Sequence, residues 1–122
     1  MLQLRTVVKV ADNSGAKIVR VFTVLGGSRK RYAQIGDIVV ASVQAVEPRK
    51  PIKKKDVVKC VVIRQRHPIR RPDGTVIRFG ENAVALIDEK KEPKGTRIFG
   101  PVPREIREKG YESIFTMAEE II

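Results

Sequence analysis

Cysteine, histidine and tryptophan are all but missing: the 122 residues hold one Cys, Cys60, one His, His67, and no Trp. A lone cysteine forms no internal disulfide, and one Cys with one His falls short of the three or four ligands of a zinc site. A disulfide-stapled scaffold and a self-contained zinc finger are excluded. Aromatic residues make up only 5%, so a core must be aliphatic and stacking platforms for single-stranded bases are few. No apolar run approaches the ~20 residues that cross a bilayer, and Met1 to Lys9 has no hydrophobic stretch of secretory type. The expectation is a soluble intracellular protein in a reducing compartment, without a membrane.

Catalytic apparatus is equally scarce. On one continuous strand Cys60 and His67 would stand roughly 23 Å apart, at about 3.3 Å per residue, and on opposite faces. Cys60 lies among Val58, Val61 and Val62 and reads as a small buried thiol, while His67 precedes Pro68 in a basic loop. Asp12-Asn13 and Asp73 read as turn formers. Gly26-Gly27-Ser28 lacks the Gly-Lys-Ser/Thr ending of a phosphate-cradling loop. No enzyme, cofactor, metal or small-molecule substrate is expected.

Positive charge is what the chain has in excess. Lys and Arg number 25 against 14 Asp and Glu, a net +11. The excess is localised. Residues 47–80 hold 11 basic and 3 acidic groups (+8), residues 1–46 carry +5, residues 81–103 are neutral and residues 104–122 are −2. The distribution points to a polyanion-binding surface built from the middle of the chain, with the C-terminal end facing something else.

With 42% hydrophobic residues the chain can bury the core of one domain, taken as residues 1–122. β-Branched runs fall at Thr6–Val10, Lys17–Leu25, Asp37–Val46, Asp56–Arg66, Thr75–Phe79 and Ala83–Ile87. Gly, Pro, Asn and Asp turns separate them, which predicts a mainly β small barrel or sandwich. Val57, Val58, Cys60, Val61, Val62 and Ile63 make one strand apolar on both phases, so its outer face should be covered. The C-terminus is the expected cover. Ile114, Phe115, Ala118, Ile121 and Ile122 recur at helical spacing, after Pro103 in a first-turn position and Gly110 as a stop. That stripe either packs on the domain or docks a protein partner through residues such as Ile114 and Phe115.

Three basic segments carry the binding prediction. Arg29, Lys30 and Arg31, followed by Tyr32, sit after a Gly-Gly turn. Arg49 and Lys50 with Lys53, Lys54 and Lys55 occupy a connection between strands. The stretch from Arg64 and Arg66 through Arg70 and Arg71 to the Pro72-Asp73-Gly74 turn reads as a ribbon tip or extended arm, with Arg78 returning along it. Arginine clusters match phosphates bidentately. With few aromatics and no basic recognition helix, folded RNA read by shape and backbone is the expected partner.

Ala11-Asp12-Asn13-Ser14-Gly15-Ala16, Val24-Leu25-Gly26-Gly27-Ser28, Arg71-Pro72-Asp73-Gly74 with Ile77-Arg78-Phe79, and Gly95-Thr96-Arg97-Ile98-Phe99-Gly100-Pro101-Val102 with Arg104-Glu105 stand in order along the chain. Together they resemble the bacterial form of the large-subunit ribosomal protein numbered fourteen, collinear over essentially the whole length. The resemblance implies a five-stranded β-barrel within residues 1–100, a projecting β-ribbon arm at about 64–79, and short C-terminal helices within 101–122. It also implies a non-catalytic constituent of the large ribosomal subunit that binds large-subunit rRNA and contributes to intersubunit bridges with small-subunit rRNA. Its implied partners are the ribosomal proteins numbered three and nineteen and a ribosome-silencing factor, met near Thr96 and Arg97. The chain departs from the family pattern at Cys60, at Ala85, and over 111–122, where a more basic segment with a Pro near its end is usual. A free small-barrel RNA-binding factor, only transiently bound to the translation machinery, is the alternative.

Overall fold

β-Branched runs separated by tight turns pair with their neighbours in sequence, and five of them close on themselves. The structure is a computed structural model that describes residues 2, 6–26, 32–50 and 52–122. In chain order the elements are β1 (Val7–Val10), β2 (Ala16–Val24), β3 (Ile38–Val46), β4 (Val57–Arg64), β5 (Ile69–Arg70), β6 (Val76–Ile77), β7 (Ala83–Ile87) and β8 (Ile98–Val102). Two helices, α1 (Glu105–Glu108) and α2 (Glu112–Met117), and a last strand, β9 (Ala118–Ile121), follow.

The barrel runs β1-β2-β3-β4-β7. Its pairings are antiparallel except at the seam, where β1 meets β7 in parallel with Lys9 opposite Ala83 and Val10 opposite Val84. Directly opposed residues share a face of the sheet. Cys60, opposite Val39 and Leu86, and Val58, opposite Ala41, therefore point inward. All five are buried, in a core of Val, Ile, Leu and Ala as the lack of aromatics requires. Val61, opposite Ile38 and Ala85, points out of the barrel yet is fully buried.

A second layer explains that burial. Gly36 and Asp37 bond to both sides of Val62 (Gly36 N–H to the Val62 carbonyl, 2.9 Å; Val62 N–H to the Asp37 carbonyl, 3.0 Å). Ile98, Val102, Ile106 and Ile114, all fully buried, join the same cluster. The expectation of a strand apolar on both faces therefore holds from Cys60 onward, whereas Val57 is 65% exposed.

β5 and β6 form a two-stranded ribbon, Ile69 opposite Ile77 and Arg70 opposite Val76. This is the arm, and its strands are shorter than the run Thr75–Phe79 suggests. β8 and β9 form a parallel pair outside the barrel. It is attached to the end of β1 by Phe99 N–H on the Ala11 carbonyl at 2.7 Å. The helical stripe ends early. α2 stops at Met117, and Ala118 turns to extended backbone (φ −69°, ψ 140°) because the edge of β8 offers a ladder to Ala118, Glu120 and Ile121. Pro103 stands just before the α1 cap residue Arg104, and Gly110 follows α1 with φ +97°. No helix among the described residues is long and apolar enough to cross a membrane.

Candidate nucleic-acid interface

Turn chemistry sets out the cations of the β3–β4 connection. Asp56 Oδ2 accepts the Lys53 N–H at 2.9 Å, and Arg49 and Lys55 take positive φ (66° and 74°), so the chain doubles back twice and its side chains point outward. Arg49, Lys50, Lys53, Lys54 and Lys55 are all exposed. On the arm, Arg66, Arg70 and Arg78 are exposed too. None of these eight cations has an ion-pair partner among the described residues. Their unneutralised charge is what a phosphate backbone requires. Arg29, Lys30 and Arg31 lie outside the described residues.

Two other arm residues are not where the sequence reading puts them. Arg64, the last residue of β4, has a side chain only 7% exposed. Its Nη1 lies 3.6 Å from Glu81 Oε1, and its Nε has no hydrogen-bond partner. Burial pushes its pKa below the usual arginine value, against the pull of Glu81. The Arg64 guanidinium occupies the space that a Cβ on Gly100 would need. Arg64 thus packs between the barrel and β8, with little of its side chain open to solvent.

Arg71 is 8% exposed at its side chain and grips Glu105 with both arms of its fork, Nε to Oε1 at 2.5 Å and Nη2 to Oε2 at 3.1 Å. Nη2 also donates to the Ile122 carbonyl at 2.7 Å. The spacing of the sequence shows a cationic arm; it does not show that one cation is spent on an acid 34 residues away. Burial pushes the Glu105 carboxyl up, but the Arg71 hydrogen bonds, the backbone N–H and the charges of Arg71 and Arg104 outweigh it. The net pKa is lowered.

The Thr96–Arg97 segment is held by the Asp12-Asn13 turn, whose reach sequence reasoning missed. Asn13 Oδ1 accepts the Thr96 N–H (2.8 Å) and the Arg97 N–H (3.1 Å), and its Nδ2 donates to Thr96 Oγ1 (2.9 Å). A Cβ on Gly95 would lie 2.7 Å from that Oδ1, so only glycine admits the clasp. Asp12, buried beside it, accepts from Ser14 Oγ (2.6 Å), Ser14 N–H (3.1 Å) and Leu86 N–H (2.8 Å). Burial raises its pKa more than these bonds lower it. Two of the quoted strings thereby prove to be one contact.

Thr96 and Arg97 are exposed. The Arg97 guanidinium sits 5.5 Å from the Phe99 ring centroid and 3.4 Å from Glu119 Oε1, whose Oε2 accepts the Gly100 N–H at 3.2 Å. Of the two stripe residues named for a partner, Phe115 is half-buried with Arg107 over its ring at 5.4 Å. Ile114 is fully buried, because α2 turns it into the core.

The acid and thiol chemistry is structural. Cys60 is fully buried inside the barrel, and burial, with the nearby charge of Asp12, pushes its thiol up to about 12. Among the described residues no three His, Cys, Asp or Glu side chains gather to hold a metal ion. Clefts lie on the flank of the barrel and at the base of the arm, and a largely apolar one is lined by Val7, Ile18 and Phe99. The family model for ribosomal protein L14p/L23e matches residues 1–122. With its entire length matched, the chain belongs to that family and is a structural protein of the large ribosomal subunit.

Proposed function

We propose that this protein binds large-subunit rRNA through the β3–β4 connection and the arm, with Arg29, Lys30 and Arg31 adding a third contact. The observation that carries the reading is the set of eight exposed cations, without an ion-pair partner among the described residues, on two neighbouring segments in sequence. Phosphate contacts of this kind release counterions and position a protein by shape. The same surface contributes to intersubunit bridges with small-subunit rRNA. Thr96, Arg97 and Phe115 meet protein neighbours, the ribosomal proteins numbered three and nineteen among them.

Titrating salt against affinity for large-subunit rRNA fragments tests this. The log–log slope should fall by about 0.7 to 0.9 for each phosphate contact, and a slope near zero sinks the reading. A resident protein also stays with large subunits through a high-salt wash, whereas a free, transiently bound factor comes off. A ribosome-silencing factor at Thr96 and Arg97 would meet an Arg97 guanidinium paired with Glu119.

A further inference from the structure

The arm is too small to hold its own orientation. β5 and β6 contribute two residue pairs, and a hairpin of that size is marginal in water. Its root is fastened by Phe79 N–H on the Gln65 carbonyl (3.1 Å) and Arg66 N–H on Asn82 Oδ1 (2.8 Å). Its tip is a stiff turn: Gly74 N–H bonds the Arg71 carbonyl (3.0 Å), Arg71 N–H the Thr75 carbonyl (2.9 Å), and Thr75 N–H Asp73 Oδ1 (2.9 Å). Ile69 packs against the core at the start of the ribbon, and among the described residues the polar ties from the tip to the rest of the molecule run through the Arg71 side chain, to Glu105 and to the Ile122 carbonyl.

The place it is tied to is itself braced. Glu105 opens α1, the Arg104 N–H bonds the Ile122 carbonyl (3.1 Å), and the Ile122 N–H bonds the Val102 carbonyl (3.0 Å). A planar, bidentate Arg–carboxylate pair fixes direction as well as distance. The strap therefore fixes the turn, and with it the strands that carry Arg70 and lead to Arg78.

We propose that Glu105 is a positioning residue for RNA binding: held by the Arg71 fork, it sets the arm before RNA arrives, so that Arg66, Arg70 and Arg78 dock without first being ordered. The inference rests on the RNA reading above. Its consequence runs against charge bookkeeping. Removing an acid from a protein that binds a polyanion should tighten binding. Removing this one should weaken it, because the arm then pays its ordering entropy on binding.

The test uses the full chain with Glu105→Gln, Arg71→Lys and the double variant. Affinity for a large-subunit rRNA fragment is measured at fixed salt, and amide exchange is followed in the free protein. Each single variant should bind about threefold to tenfold more weakly. The double should be no worse than the weaker single, since both break one strap. The Arg71, Gly74 and Thr75 amides should exchange faster while the Val21, Val43 and Val62 amides do not. Equal or tighter binding by Glu105→Gln, additive losses, or unchanged arm exchange overturns the inference. Should Glu105→Gln fail to fold, Arg71→Lys, which keeps the cation, decides alone. A wild-type chain that binds no rRNA overturns the RNA reading together with this one, whereas wild-type binding matched by the variants overturns this one only.

Discussion

Neighbouring arginines in this chain do opposite things. Arg70 is exposed and has no ion-pair partner among the described residues; Arg71, next to it, is half-buried with its side chain held in a strap. Arg71→Ala strands the Glu105 carboxylate and should cost about 1–3 kcal/mol, whereas Arg70→Ala should stay within about 0.5 kcal/mol. Urea melts of the two variants check this; equal effects would mean the strap contributes nothing. The contrast separates two residues that the sequence reads alike, as cations of one arm. Sequence shows a residue's charge but not whether a distant acid consumes it, which is why Arg64 and Arg71 were read as surface. Gly100 adds a second site of tight fit. It has φ +82° and abuts the Arg64 guanidinium, so Gly100→Ala adds left-handed strain to a clash. A loss of about 2 kcal/mol or more in the same melt is expected, and an unchanged midpoint would show the site yields.

Glu105 also predicts a pH dependence. Its folded pKa lies below the ordinary 4.5, so its stabilisation is fully present above pH 4.5 and lost as pH falls through the lowered value. Glu105→Gln should thus flatten the acid limb of the stability curve, read by melting between about pH 2 and 5. Asp12 works the other way. Its pKa is raised above 3.8, so over the window just above 3.8 the folded state binds more protons and stability falls as pH rises.

At the scale of elements, the barrel strands were legible because Val, Ile and Thr runs stand between Gly, Asn, Asp and Pro turns. β8 was not. Ile98-Phe99-Gly100-Pro101-Val102 holds two residues that ordinarily break strands, and it survives at an edge where the Gly100 N–H is taken by Glu119 and Pro101 has none to satisfy. β9 was misread for the opposite reason. Its apolar residues sit at helical spacing from Ile114, and only the ladder on β8 makes it extended. Glu119 is the pin of that sheet and, at the surface, a cheap one. Glu119→Gln keeps an acceptor for Gly100 and loses an ion pair 64% and 44% exposed, so stability should change by less than about 0.5 kcal/mol. If Arg97 meets an acidic group of a protein partner, the same variant should bind that partner more tightly; weaker binding would show that Glu119 presents Arg97 instead of masking it.

Over the whole molecule, the division into a basic middle and an acidic end takes on a different meaning. The −2 segment 104–122 does not simply face outward as a second surface. Through Glu105 it holds the basic arm, and through Glu119 it holds Arg97. Charge partition was readable from composition. That the acidic end supplies a counter-ion to the basic arm, Glu105 to Arg71, required the fold.

The parallel seam between β1 and β7 bears on how the chain is made. A chain that emerges N-terminus first can lay β1, β2, β3 and β4 side by side early, but this sheet has two bare edges. Both are filled by the same late strand, Ala83–Ile87, with β4 on one side and β1 on the other. Until residue 87 has left the synthesising ribosome, the strand that fills both edges is missing, and any β1–β4 sheet formed before then would leave them bare. Closure then comes in one step, when a single strand removes both edges.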